Sequence, residues 1–339
     1  MHRARLIGIP KWRVLVWELP RVLSWRAYVR LSTLVYDLAD RRRWADRNLG
    51  KRLQQLPTGD GPCFYVIAVP GVLHFLLPAV RLVRDHCSLA FIANGIAPLE
   101  ARVLQREFPD IPMVRVRTLP KCSWPHGHLL SLLLRNSERD FGILDHDFYL
   151  TDPAILTQLR FRGQEFAVCV SGRKNRPTGL VFPDTHLLYL RVAPLQAIMR
   201  RYRVGAQLYK EIPPQVQPVL HSMGLSANNP PKDYQSFFDS FLLLSALAMH
   251  EGYVVRTLNP PAASWLHIGG TSIGMQATKV ATHHYASARF LGLIADDALL
   301  TYYRRKHIAT PETAEQLRRS AQPDTAVRID TLIAKLKAA

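Results

Sequence analysis

The chain has 339 residues, 48% of them apolar and 21% charged, a composition that excludes a disordered, collagen-like or disulfide-stapled protein. Its 44 lysines and arginines outnumber its 26 acidic residues and give a formal net charge of +18. This excess predicts an anionic partner, whether nucleic acid, a phosphate-bearing ligand or an acidic membrane, without deciding among them.

The N-terminal segment, residues 1–55, holds half of this excess. It contains thirteen lysines and arginines against four acidic residues, together with four of the six tryptophans. Ser24 is suited to cap a helix whose apolar stripe runs from Trp25 to Leu38. We expect a basic amphipathic helical arm that either lies on an anionic membrane surface or packs its stripe onto the main domain.

The cysteines predict the redox compartment. The four are far apart and form no C-x-x-C pair, and Pro10, Lys11 and Arg13 stand where a secretory signal would have its apolar core. We therefore expect free thiols and a cytoplasmic protein. If residues 1–55 bind a membrane rather than the main domain, the contact would be peripheral, on the inner face of the cell membrane.

An apolar run over residues 64–83 raises the question of a membrane span. Pro70-Gly71 and Pro78 interrupt it, and basic residues follow at Arg81 and Arg84. These breaks favour a buried strand, Phe64–Val69, that turns into a helix of a soluble domain.

Between residues 62 and 275, short β-type runs alternate with helical patterns. The predicted strands are Phe64–Val69, Ser88–Ile92, Pro112–Val116, Phe141–Leu144, Phe166–Ser171, Thr185–Arg191 and Tyr253–Leu258. The predicted helices are Leu76–Asp85, Pro98–Phe108, His128–Asn136 and a long one from about Gln235 to His250. This alternation predicts an α/β domain with a mostly parallel sheet flanked by helices, followed by a helical extension over residues 276–339.

Two carboxylates follow the apolar strand Phe141–Leu144, at Asp145 and Asp147. Ligands bind beyond the carboxyl ends of strands in an open parallel sheet, and acids at i and i+2 can both reach one divalent cation. Oxygen ligands suit Mg²⁺ or Mn²⁺, which also bind substrate phosphates. A plain turn in which Asp152 caps the next helix would explain Asp152 but not the other two acids.

The segment FGILDHDFYLTDP, residues 141–153, resembles the D-x-D segment of GT-A-fold glycosyltransferases, the nucleotide-diphospho-sugar transferase superfamily. The run SLAFIANG at 88–95 resembles part of the nucleotide-binding half of that fold, and WLHIGGTS at 265–272 resembles its late histidine–glycine segment. The resemblance covers residues 62–275 in the order that the fold requires. It implies a GT-A-like, Rossmann-type fold and transfer of a sugar from a nucleotide-sugar donor to a glycan or lipid-linked acceptor.

The resemblance also implies a metal site. Asp147 would be a direct ligand of Mn²⁺ or Mg²⁺, and Asp145 would share the metal or hold the ribose of the donor. His267 would be the third ligand, because a neutral imidazole serves Mn²⁺ adequately. The alternative for His267 is a hydrogen bond to a nearby backbone carbonyl.

Four further residues are implied as donor-binding. Asn94 would lie near the base and His126 near the donor, and the Gly269-Gly270 pair would let backbone N–H groups approach a phosphate. The alternative for the two glycines is a plain turn.

An inverting enzyme needs a general base for the acceptor hydroxyl. The candidates are Asp239 and Asp233. The resemblance implies an acid at the start of a helix on the acceptor side, and it favours Asp239, which precedes the apolar run Phe241–Met249. Either acid could instead favour the positive end of that helix, and a retaining enzyme would need no such base. Basic residues of the extension, including His283, His284 and Arg289, are candidates to close over the diphosphate.

Two other functions fit parts of the pattern. A basic nucleic-acid-binding protein would explain the charge, but no helix-turn-helix, zinc-finger or RNP pattern is present. A metal-dependent phosphohydrolase or nucleotidyltransferase would use the same acids, but the extra histidine and aspartate clusters of a two-metal hydrolase are missing. The sequence therefore favours a metal-dependent glycosyltransferase and makes a nucleic-acid partner the weaker hypothesis.

Overall fold

The computed structural model describes residues 48–56, 61–116, 125–209, 211–226, 229, 231, 238–269, 280–305 and 309–338. The predicted helix that begins at Ser24 lies outside the described residues, and so do Cys122, Asp233 and Gly270.

Eleven strands are found in the described part of the chain. In chain order they are β1 (Cys63–Ala68), β2 (Ser88–Asn94), β3 (Met113–Val116), β4 (Phe141–Leu144), β5 (Phe148–Leu150), β6 (Glu165–Cys169), β7 (Gly172–Lys174), β8 (Val181–Pro183), β9 (Leu187–Leu190), β10 (Val254–Thr257) and β11 (Trp265–His267). Seven of them form the central sheet in the order β10-β6-β9-β4-β1-β2-β3, while β5 pairs with β11 and β7 with β8.

The central sheet is mostly parallel. Strand β9 is antiparallel to both of its neighbours, β4 and β6, and the pairings of β1, β2, β3 and β4 with one another and of β6 with β10 are parallel. The predicted fold class, a mostly parallel sheet flanked by helices, is therefore confirmed. One antiparallel strand in the middle of the sheet was not predicted.

The α-helices of the described residues are α1 (Leu49–Gln54), α2 (Leu73–Arg81), α3 (Pro98–Glu107), α4 (His126–Asn136), α5 (Val192–Tyr202), α6 (Gln217–Ser222), α7 (Leu242–His250), α8 (Val280–Leu291), α9 (Asp297–Arg304), α10 (Ala314–Arg318) and α11 (Pro323–Ala338). No helix among these residues is long and apolar enough to cross a membrane.

The sheet is buried on both faces because successive residues of a strand point in opposite directions. On β1, Phe64 and Val66 belong to the core that α2 and α3 cover. Tyr65 and Ile67 belong to the opposite core, which α4, α5 and α7 cover. This double burial explains why the strands are uninterrupted apolar runs.

The apolar run over residues 64–83 forms a strand, a turn and a helix, as predicted. Strand β1 ends at Ala68, Gly71 adopts a φ of +86° in the turn, and α2 begins at Leu73. Glycine occupies such a left-handed conformation without the steric penalty of a side chain. Helix α2 begins at Leu73 rather than at the predicted Leu76, and Pro78 lies inside it.

The helix predicted from about Gln235 begins later than expected. Phe238 forms a β-bridge with Tyr209, and Phe241 has a φ of +72° and donates its N–H to the carbonyl of Ala206. These contacts hold residues 238–241 out of a helical conformation, so α7 begins at Leu242.

Helix α5 was not predicted at all. It follows β9 directly, and its first N–H, of Val192, is satisfied by the Asp140 carboxylate at 2.8 Å. The cap therefore comes from a residue that is distant in the sequence, which a local helix signal does not reveal.

The two ends of the described chain pack on the central domain. Helix α1 buries Leu49 and Leu53 against it, and Arg52 donates to the carbonyl of Arg115 on β3 at 2.8 Å. In the extension, Phe290 of α8 stacks on Tyr149 of β5 with ring centroids 4.8 Å apart. The division into an arm over 1–55, a catalytic domain over 62–275 and an extension over 276–339 remains a prediction.

Candidate active site

The candidate site lies at the carboxyl edge of the central sheet. Strand β4 ends at Leu144, immediately before Asp145, and β2 ends at Asn94. Because β9 is antiparallel to β4, the residues that precede β9 reach this same edge. Three segments that are distant in sequence are thereby brought together.

The turn after β4 is fixed by backbone hydrogen bonds. Asp145 donates its N–H to the carbonyl of His186 at 2.9 Å, and Phe148 donates to the carbonyl of Asp145 at 3.2 Å. Strand β5 then pairs antiparallel with β11, which sets His267 opposite Phe148. Ile268 donates to the carbonyl of Asp147 at 3.2 Å, so the histidine segment is held beside the D-x-D turn.

The side chains of Asp145, Asp147 and His267 converge beside this hydrogen-bonded turn. The Nε2 atom of His267 lies 3.4 Å from Oδ1 of Asp147 and 3.9 Å from Oδ2 of Asp145. One ligand atom from each residue lies within 4.8 Å of the others. Two carboxylate oxygens and one imidazole nitrogen form a donor set that suits Mn²⁺ and is tolerated by Mg²⁺.

The electrostatics of the three side chains fit a bound cation. Burial raises the pKa of Asp145 and the neighbouring Asp147 carboxylate raises it further, although His126 and His267 oppose this. Burial lowers the pKa of His267, but the charges of Asp147, Asp145 and Asp184 and a hydrogen bond to Asp147 raise it overall. Two carboxylates at such close range repel each other, and a divalent cation between them would relieve that repulsion.

An aromatic cluster adjoins the three residues. His186, which precedes β9, stacks on His267 with ring centroids 4.5 Å apart and an interplanar angle of 27°. It also stacks on Phe148 and on Trp265, at 5.1 Å and 5.4 Å. The imidazole of His267 is therefore held in a packed environment rather than projecting into solvent.

His186 is connected to a short polar chain. Its Nε2 lies 3.2 Å from Oγ of Ser171, and Ser171 donates to Oδ2 of Asp184 at 2.9 Å. Arg173 donates to the other oxygen of Asp184 at 3.4 Å.

Sequence reasoning missed His186, Ser171 and Asp184. A signal for them was present, because the segment 172–184 between the two predicted strands lacks a helical pattern. Parallel strands need a crossover, usually a helix, so this connection favours an antiparallel β9. A β9 that is antiparallel to β4 starts at the sheet edge where β4 ends. The residues before β9 therefore lie near the D-x-D turn.

The predicted residue His126 is the first residue of α4 and lies close enough to Asp145 to lower its pKa. Its Nε2 atom is buried and has no hydrogen-bond partner among the described residues. Asn94, the last residue of β2, is 1% exposed. Asn94 therefore lies at the carboxyl edge of the sheet, and His126 lies at the start of α4.

The predicted base, Asp239, lies next to the start of α4. A Cβ on Gly127 would come within 2.8 Å of Oγ of Ser240, so the chain at 239–240 passes directly against Gly127, the neighbour of His126. Asp239 accepts a hydrogen bond from the N–H of Ser240 at 2.8 Å, and its carbonyl accepts one from Leu242 at the start of α7. The short loop into α7 thus approaches the site from the side of α4.

Gly269 has a φ of +69° and lies against the ring of His267. A Cβ at this position would be 3.3 Å from Cε1 of His267. Arg289, a candidate to close over a diphosphate, instead forms an ion pair with Asp330 at 3.0 Å between Nε and Oδ1.

Part of the chain, less than half of its length, is similar to a known protein family. Residues 39–194 match the family described as StrH glycosyltransferase N-terminal domain. This segment contains β1 to β9 and the D-x-D turn. The match confirms the resemblance to glycosyltransferases that the sequence motifs predicted.

A related sequence is the dTDP-dihydrostreptose–streptidine-6-phosphate dihydrostreptosyltransferase of Streptomyces griseus. The two are 29% identical over 150 residues, which are 44% of this chain and 38% of the relative. The similarity thus spans less than half of that relative's length.

Two glycosyltransferases are among the solved structures with some similarity in chain path. One is the mannosyltransferase PcManGT from Pyrobaculum calidifontis in complex with GDP-Man and Mn²⁺, at 12% identity and a TM-score of 0.41, covering 94% of this chain and 87% of that one. Another is the glycosyltransferase GlyE of Streptococcus pneumoniae TIGR4, at 11% identity and a TM-score of 0.36, covering 81% of this chain and 64% of that one.

Proposed function

We propose that this protein transfers a sugar from a nucleotide-diphosphate-sugar donor to a hydroxyl-bearing acceptor, and that Asp145, Asp147 and His267 hold the divalent metal for this reaction. The observation that carries the proposal is the convergence of these three side chains within 4.8 Å of one another. They come from two segments that are more than a hundred residues apart and meet at the sheet edge where ligands of such folds bind.

The donor carries two phosphates, whose charge increases when the bond to the sugar breaks. A metal ion bound here would act as a Lewis acid that stabilises the departing nucleoside diphosphate. The protein's own part is to hold Asp147 and His267 rigidly, through the hydrogen bond from Ile268 to the Asp147 carbonyl and the β5–β11 pairing. Such fixed ligands need little reorganisation as the reaction proceeds.

Asn94 and His126 are proposed to bind the nucleotide-sugar donor. Asn94 ends a strand next to β1 in the sheet, at the edge where the base of a nucleotide would lie. The buried Nε2 of His126, which has no hydrogen-bond partner in the described part of the chain, would gain one from an oxygen or hydroxyl of the nucleotide sugar. Gly269 leaves backbone close to the ring of His267, where a phosphate could approach.

The acceptor side is assigned to Asp239. The residue after it, Ser240, lies against Gly127 at the start of α4, and the Asp239 carboxylate accepts the N–H of Ser240. In an inverting transfer it would take the proton of the acceptor hydroxyl as the new glycosidic bond forms.

The names of two similar proteins support a nucleotide-sugar donor. The Streptomyces griseus relative is named for dTDP-dihydrostreptose, and the Pyrobaculum calidifontis mannosyltransferase is in complex with GDP-Man and Mn²⁺. These names differ in both nucleotide and sugar, so the proposal extends to the donor class only. A two-metal phosphohydrolase is less well supported, because the described residues contain one group of three or more metal-ligating side chains.

The acceptor is proposed to be a glycan or a lipid-linked saccharide. The positive charge of residues 1–55 supports peripheral contact with an anionic membrane on the cytoplasmic side. Co-sedimentation of the full chain with anionic and with neutral vesicles tests this part, and equal recovery in both pellets would contradict it.

The donor proposal is tested by thermal shift. The protein is heated with UDP, dTDP, GDP, CDP or ADP, each with and without Mn²⁺, because a ligand that binds the native state raises the melting temperature by mass action. We expect one nucleotide to stabilise the protein when Mn²⁺ is present and not in EDTA. If no nucleotide shifts the melting temperature under either condition, the proposal is wrong.

A further inference from the structure

His186 contacts two of the three candidate metal ligands. Its backbone carbonyl accepts the N–H of Asp145 at 2.9 Å, and its ring stacks on that of His267 with centroids 4.5 Å apart. It is 6% exposed. The group of side chains that could share one metal consists, within the described residues, of Asp145, Asp147 and His267, so His186 adjoins this group without belonging to it.

The hydrogen bonds behind His186 have a defined direction. An ionised Asp184 can only accept, so the single hydroxyl proton of Ser171 is committed to Asp184 at 2.9 Å. The Ser171 oxygen must then accept from Nε2–H of His186 at 3.2 Å. This chain fixes both the tautomer and the rotation of the His186 ring.

The ring of His267 is confined on two sides. One face lies against His186, and the backbone at Gly269 is so near that an added Cβ would be 3.3 Å from Cε1. The direction in which Nε2 of His267 points, towards Asp147 and Asp145, therefore depends on the position of the His186 ring.

We propose that His186 is a positioning residue, which holds the imidazole of His267 in its metal-binding orientation by ring stacking and is itself held by Ser171 and Asp184. The inference rests on the proposed function, since it requires His267 to be a ligand. Residues behind a metal ligand that fix its orientation commonly change metal affinity about 10- to 100-fold when they are removed.

The test measures Mn²⁺ binding directly, without turnover. Free Mn²⁺ gives a six-line electron paramagnetic resonance signal that weakens on binding, so titration of the full-length protein with Mn²⁺ alone yields a dissociation constant. The variants are H186A, H186F, which keeps a ring but cannot bond Ser171, and H186Q, which keeps an N–H donor but has no ring. Asp147→Asn and His267→Ala test the site itself, and His221→Ala, on exposed α6, is the control.

We expect H186A and H186Q to weaken Mn²⁺ binding about tenfold or more. H186F should weaken it less than either, because phenylalanine keeps the stacking ring but loses the hydrogen bond to Ser171. The metal-free melting temperature of H186Q and H186F should be similar, which separates positioning from general loss of structure. Wild-type affinity in both H186A and H186Q, or a loss in H186F that equals that of H186Q, would overturn the inference. If D147N and H267A also bind Mn²⁺ like wild type, the metal site of the proposed function is wrong as well.

Discussion

Tyr303 donates a hydrogen bond of 2.6 Å to Glu100, a carboxylate that is completely buried beside the turn after β1. The same oxygen of Glu100 accepts the N–H of Gly71 at 2.6 Å, and its other oxygen accepts that of Ala97 at 2.8 Å. Tyr303 in turn accepts the N–H of Leu73 at 3.0 Å. A helix of the C-terminal extension thus completes the hydrogen bonding of two turns at the carboxyl edge of the sheet.

Replacing Tyr303 by Phe should lower the free energy of unfolding by about 1–3 kcal/mol, because it leaves a buried carboxylate and a buried N–H short of one partner each. Burial and the nearby Glu100 raise the pKa of Tyr303, so the hydroxyl remains a donor across the accessible pH range. Urea denaturation measures the change. Tyr253→Phe, a half-buried tyrosine beside β10, is the control and should have a smaller effect; an equal loss in both would contradict this role.

Gly142 of β4 has no room for a side chain. A Cβ there would lie 2.1 Å from Cε1 and 2.2 Å from Cδ1 of Phe64, which is 1% exposed and packs against Tyr189. Gly142→Ala should therefore displace β4 and destabilise the fold by about 1–3 kcal/mol.

The same change should weaken Mn²⁺ binding, because Asp145 follows β4 directly. Gly61→Ala is the matched control, since a Cβ at that position meets nothing within 4 Å. Equal melting temperatures of the two variants would show that the ring of Phe64 moves aside without cost.

The central strands were predictable because each is buried on both faces and reads as one apolar run. The predicted Phe141–Leu144 agrees with the observed β4, and Phe64–Val69 is shifted by one residue from Cys63–Ala68. Strands β5 and β11 were not predicted. Each has three residues, and its extended conformation is stabilised by hydrogen bonding to the other strand. Patterns within one segment carry no information about such a partner.

The site was predictable to a similar degree. Asp145 and Asp147 were proposed from the rule that ligands gather at strand ends, and His267 from the family resemblance. The Nε2 atom of His267 lies within 4 Å of an oxygen of each carboxylate. His186 was missed because its relevance depends on β9 running antiparallel. That direction is a tertiary property, and it was indicated only by the absence of a helix before β9.

Asp239→Asn tests the assignment of the general base. Asparagine retains an oxygen for the N–H of Ser240 but cannot take up a proton, so the fold should persist while kcat falls by about 10²- to 10⁴-fold with little change in the donor KM. The measurement is steady-state sugar transfer, once a donor and an acceptor are identified. Asp297→Asn, an exposed acid on α9, is the control; full activity of D239N, or transfer with retention of configuration, would contradict the assignment.

The central claim is that the carboxylate of Asp147 supports metal-dependent cleavage of a nucleotide sugar. The most direct measurement is release of nucleoside diphosphate from a panel of nucleotide sugars, in Mn²⁺ and in EDTA, by wild type, D147N and the exposed control Asp85→Asn. We expect release by wild type and D85N in Mn²⁺ alone, and a loss of more than about a hundredfold in D147N, since a metal's charge stabilisation amounts to several kcal/mol. Undiminished release by D147N, or by wild type in EDTA, would contradict the claim.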